Sequence, residues 1–96
     1  MKNKIWAQQA SEPSLWFSRY LVFLQLGPRR SLSSAYRADS GKAGKVPSSW
    51  RQAAHTWNWS DRAAAYDRDL FQKQFIEMER YRMERFNFEI KNHMAV

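Results

Sequence analysis

Ninety-six residues suit a single domain with a small core and leave little room for a deep catalytic cleft and the residues needed to support it. Sixteen Lys and Arg against nine Asp and Glu give a formal charge of +7, which attracts polyanions: nucleic acid first, an acidic membrane or protein second. The lack of cysteine excludes disulfides and thiolate zinc sites and fits a reducing cytoplasm.

Residues 1–10 read as a loosely tethered arm. Lys2, Lys4, Ile5 and Trp6 open like a signal peptide, but Gln8, Gln9 and Glu12 stand where its apolar core would be. Ser11 and Pro13 mark a helix start, with Ser11 as the cap and the proline in the first turn. Leu15, Trp16, Tyr20, Phe23, Leu24 and Leu26 are too densely apolar to face water, and Gly27-Pro28 ends that helix. The apolar stretch is about twelve residues and contains Arg19 and Gln25, well short of the roughly twenty that span a bilayer. A membrane is therefore not an expected partner.

Arg29 and Arg30 follow, and Ser31 caps a short second helix through Ala35, Tyr36 and Arg37. Residues 40–45, Ser-Gly-Lys-Ala-Gly-Lys, form a flexible cationic loop. It lacks both the spacing and the preceding strand of a phosphate-binding P-loop. Pro47, Ser48 and Ser49 open a third helix, with Ser49 and Gln52 in a capping-box pattern, which continues through Trp50, Ala53, Ala54 and Trp57. Asn58 tolerates a left-handed turn, and Ser60 with Asp61 caps a fourth helix. No proline or glycine interrupts the chain from Asp61 onward, so this helix can run for about thirty residues. No useful stretch alternates with period two, so no strand is expected.

Residues 50–64 have the grammar of a helix-turn-helix. Ala54 supplies the small residue where two steeply crossed helices touch, Asn58 the turn, Trp59 the apolar plug, and Ala64 the return contact. Its second helix would lie in the major groove, with Ser60, Arg62 and Tyr66 outward and Arg51 and His55 near the phosphates. Asp61 and Asp67 sit badly beside a polyanion, so base-specific reading is expected to be weak. An αα-corner that simply buries Trp50, Trp57 and Trp59 accounts for the same residues.

The runs Glu12-Pro13-Ser14-Leu15-Trp16-Phe17-Ser18-Arg19-Tyr20, Leu26-Gly27-Pro28-Arg29-Arg30-Ser31-Leu32, Ser49-Trp50-Arg51-Gln52-Ala53-Ala54 and Trp59 to Asp67 resemble the N-terminal part of phage small terminase subunits. The resemblance spans residues 12–67. Members of that family recognise viral DNA, assemble into rings through helical hairpins and hand the DNA to a packaging motor. It implies DNA recognition through residues 50–66, self-assembly through the following helix, and a bacterial or phage-infected cell. Such proteins usually continue into a further oligomerisation and motor-binding region where this sequence ends, which points to a trimmed or reused relative.

In the last helix Ile76, Met83 and Ile90 recur at seven, Phe86 and Met94 extend that face, and Phe71, Phe75 and Met78 make a second stripe. Apolar residues on several faces imply cover from a second copy or a partner protein. The alternative is that the first helix folds along it. The interleaved charges from Glu77 to Glu89 read as a solvated face.

Nothing encodes a catalytic centre, a metal site or a cofactor site. His55 and His93 lack neighbours at ligand spacing, Asp67 and Asp69 diverge on a helix, and the serines sit at helix starts. The expected fold is all-α: a small helical bundle with a helix-turn-helix and a long C-terminal helix, divided as arm 1–10, helical domain 11–67 and assembly helix 68–96. The expected function is non-enzymatic binding of duplex DNA, with no small-molecule substrate, through Arg29, Arg30, Arg37, Lys42, Lys45, Arg51, His55, Ser60, Arg62 and Tyr66. Association would use Phe71, Phe75, Ile76, Met78, Met83, Phe86 and Ile90. The rival readings are an adaptor that docks on a host protein or larger machine, and an RNA-associated protein that stacks bases on Trp and Tyr.

Overall fold

The computed structural model describes residues 4–94, with side chains to residue 88. Four helices follow one another: α1 Ser14–Gln25, α2 Leu32–Ser40, α3 Ser48–Thr56 and α4 Trp59–Met94. The described residues contain no strand. The chain is an all-α small bundle with a long C-terminal helix.

The helix ends are set partly by the expected residues and partly by others. Ser31 caps α2, its hydroxyl accepting from the Ser34 amide at 3.1 Å. Gly41 ends that helix with φ 74°, where a side chain would be strained. Pro47 and Pro13 occupy the cap positions of α3 and α1, neither with a side-chain cap. Ser49 therefore falls inside the first turn of α3, and the capping box with Gln52 does not form. Ser11 lies two residues ahead of the α1 cap. Asn58 takes φ 51°, as the turn requires, and its carbonyl already accepts from the Arg62 amide at 3.0 Å. α4 thus begins at Trp59, and Ser60 lies within its first turn instead of capping it.

Trp59 is the centre of the core, fully enclosed between Tyr20, Phe23 and Trp50 at ring separations of 5.9, 5.6 and 6.0 Å. Trp50 is met in turn by Trp16 and Tyr36. Each such pair contributes about 0.5–1.5 kcal/mol beyond the area it buries. The small residues that let the helices approach are Ala35, Ala53 and Ala63. Ala54 is only half-buried and Ala64 is exposed, one position round from the expected contacts. The shift follows from the start of α4 at Trp59: with Trp59 inward, the residue one turn later on the same face is Ala63.

Residues 4–10 are docked, not a loose arm. The Arg62 guanidinium holds the carbonyls of Ile5 and Ala7, and the Trp6 ring meets Tyr66 edge-on at 5.9 Å. α1 packs against the first part of α4 and stops there. Leu24, Gly27 and Pro28 share a depression with Leu70, Phe71 and Gln74, and from Phe71 to Phe88 every side chain except Glu79 is exposed. At 36 residues α4 is about 54 Å long, which gives the molecule its 68 × 35 × 17 Å extents. The first helix therefore does not cover the last.

Candidate nucleic-acid and protein interfaces

Two of the expected DNA-contacting arginines face inward. Arg62 is 4% exposed and forms a two-pronged ion pair with Glu12, at 2.8 and 3.0 Å. Its remaining N–H groups donate to the backbone oxygens of Ile5, Ala7 and Trp57. Its plane lies 4.1 Å from the Tyr20 ring centre. Burial pushes the Tyr20 hydroxyl up to about 12, partly opposed by the Arg62 charge. The second case is Arg30, which donates to both carboxylate oxygens of Asp67 at 2.7 and 2.8 Å and to the end of α1 at the Phe23 and Leu24 oxygens. Those hydrogen bonds hold the Asp67 carboxyl below the usual carboxylate range.

Both arginines are turned inward for the same reason. Arginine is the residue best suited to a buried, forked carboxylate pair, and composition counts it as surface charge. Glu12 and Asp67 were the missed partners, and a glutamate directly before the Pro13 helix start was the one visible signal. Tyr66 is also not outward, because Trp6 covers its ring.

The other expected contacts remain on the surface. Arg29, Arg37, Lys42, Lys45 and Arg51 are exposed and have no ion-pair partner among the described residues. His55 and Ser60 come together with Asn58 and Asp61 in a shallow depression at the turn between α3 and α4. Arg68 is an exposed cation on α4 that the sequence reading missed. The charge is sharply divided along the chain. Residues 1–68 hold eleven of the sixteen basic and four of the nine acidic residues, and residues 69–96 hold five of each. The entire +7 therefore belongs to the domain, and the projecting helix is neutral.

On that helix Phe71, Phe75, Ile76, Met78, Met83 and Phe86 are each between 55% and 68% exposed. The side chain of Ile90 lies outside the described residues. Phe71 and Phe75 stack on one another at 6.5 Å, so they share a face. The charges between the apolar residues pair within the helix: Asp69 with Lys73, Glu77 with Arg80, Glu79 with Arg82.

The described residues contain no group of three His, Cys, Asp or Glu able to hold a metal ion, and no helix long and apolar enough to cross a membrane. No family model, curated protein or solved structure matches the chain.

Proposed function

We propose that the chain is a non-enzymatic DNA-binding protein that associates with protein through α4. The observation that carries this reading is the separation of charge. A compact domain holds the whole +7, and a neutral helix with exposed aromatic and methionine side chains projects from it. The cationic surface is Arg29, Arg37, Lys42, Lys45, Arg51 and Arg68, all exposed and unpaired among the described residues. Such a surface grips phosphates by displacing counterions and reads sequence weakly. The outward positions on the first turns of α4 are Ser60, Asp61, Ala64 and Arg68, with one cation among them and an acid beside it. The resemblance of residues 12–67 to small terminase subunits implies the same two activities, with viral DNA as the substrate.

The test is fluorescence anisotropy of labelled duplex at low and high salt, on wild type and on Arg37→Glu/Arg51→Glu. Affinity should fall steeply with salt and by a further tenfold or more, on the order of 1.4 kcal/mol, in the double variant. No binding at low salt would overturn the DNA reading. A second reading, an adaptor for a host or phage protein, is favoured specifically by the neutrality and exposure of α4. It predicts tight, salt-insensitive binding to one protein and none to duplex.

A further inference from the structure

Arg19 stands inside the apolar run of α1, and three segments of the chain meet around it. Its guanidinium carbon lies 4.7 Å from the Trp16 ring centre and 5.2 Å from that of Trp50. The two indoles stand at 86° to one another, so the cation is seated in a corner with an aromatic ring on two sides. Asp39, in the last turn of α2, lies 3.4 Å from Arg19 Nε. That nitrogen is buried and makes no hydrogen bond, so the contact is a charge pair without a directed N–H···O bond to hold it. The Nη nitrogens have no hydrogen-bond partner among the described residues, and the side chain keeps 26% exposure. The acid is also poorly placed for its own helix, whose C-terminal carbonyls disfavour a negative charge in the last turn. Between Pro13 and Ser60, Asp39 is the only acidic residue, against seven Lys and Arg. The loop of residues 41–47, which carries Lys42 and Lys45, leaves α2 two residues after Asp39 and reaches α3 three residues before Trp50. Both ends of that exposed cationic loop are therefore anchored beside Arg19, and Arg51 follows Trp50 directly.

We propose that Arg19 is a phosphate contact of the nucleic-acid surface, its plane fixed by Trp16 and Trp50, and that Asp39 is the resident counter-ion a DNA phosphate displaces. This rests on the DNA reading above and adds a residue at the base of the loop and a brake on affinity. A planar guanidinium can lie against aromatic rings and still present its Nη edge to phosphate oxygens, which a lysine ammonium cannot reproduce. Held in one orientation by the two indoles, it loses little freedom when it meets a phosphate. The exposed side chains of Arg37, Lys42, Lys45 and Arg51 must instead be ordered at a cost in entropy. When duplex arrives, the phosphate and the carboxylate compete for one positive charge. The α2 dipole and the missing hydrogen bond at Nε both favour release of Asp39 to water.

The experiment is duplex anisotropy on Arg19→Lys, Asp39→Asn and the double variant, with a melting temperature for each to show that it folds. Arg19→Lys keeps the charge and should still weaken binding about five- to tenfold, whereas Arg37→Lys at an exposed site should bind like wild type. Asp39→Asn should tighten binding about threefold. It should also steepen the slope of log affinity against log salt by up to about one, because no freed carboxylate takes up a cation in exchange. In the Arg19→Lys background that gain should shrink, since residues that act as a pair are not additive. Wild-type affinity in folded Arg19→Lys would overturn the assignment. So would an undiminished gain from Asp39→Asn in the double variant, because the acid would then act through general charge alone. If Arg19→Lys does not fold, Asp39→Asn decides by itself, and an unchanged salt slope overturns the proposal. Duplex binding without these effects defeats only the role of Arg19. No binding by the wild type at low salt defeats the nucleic-acid reading itself, and this role with it.

Discussion

Arg62 and Glu12 are fifty residues apart, and they form the most enclosed polar contact of the described chain, each 4% exposed with two hydrogen bonds between them. The pair ties the segment ahead of α1 to the first turn of α4. The remaining guanidinium N–H groups meet backbone oxygens, so the buried cation is hydrogen-bonded on every side that the structure describes.

Removing one partner leaves the other charged and buried. Glu12→Gln or Arg62→Ala should lower unfolding free energy by about 3–5 kcal/mol. That is a large part of what a domain of this size holds. Urea denaturation followed by tryptophan fluorescence measures it, and a midpoint within error of wild type would remove the pair from the account. Arg62→Glu would put two carboxylates together and is expected not to fold, so a loss of DNA binding in that variant says nothing about DNA contact.

Tyr20 supplies a pH signature. Its hydroxyl is buried without a hydrogen-bond partner among the described residues and is pushed up to about 12 from an ordinary 10.0. The folded state thus keeps a proton that the unfolded state gives up. Stability from this group is complete below pH 10 and is lost as pH rises toward about 12, about 2–3 kcal/mol in all. Tyr20→Phe should flatten that part of the pH profile. At neutral pH the same change should be near neutral or mildly stabilising, because it removes an unsatisfied buried hydroxyl. Strong destabilisation at pH 7 would show that the hydroxyl has a partner.

Asp67 should act at the other end of the scale. Arg30 lowers its carboxyl pKa, so its contribution is present above the unfolded value and disappears as pH falls through the lower folded value. Asp67→Asn should cost about 1.5–3 kcal/mol at pH 7 and leave less acid-dependent destabilisation. Thermal melts at pH 7 and pH 3 would measure both. An equal loss at each pH would point to packing instead of charge.

Cation removal should separate contact from structure. Lys42→Ala/Lys45→Ala alters only exposed loop side chains, so its melting temperature should match wild type. The slope of log affinity against log salt for duplex should become shallower by up to about two, one per lost phosphate contact. An unchanged slope would place the loop outside the interface.

The sequence by itself determined the helices, because their signals are local. Gly27-Pro28, Ser31 and Asn58 punctuate the chain by backbone geometry that needs no distant partner, and the aromatic density around Tyr20, Phe23 and Trp59 requires burial wherever it packs. The charge balance, and its split at about residue 68, are also plain in the sequence. Which charges face water was decided only by tertiary structure. Arg30, Arg51 and Arg62 look alike in the sequence, and only the approach of Glu12 and Asp67 across the fold turns two of them inward. The one-residue choice between Ala63 and Ala64 had the same origin. It depends on where the left-handed turn at Asn58 starts α4, and a rotation of 100° per residue turns a small error in the start into a different face.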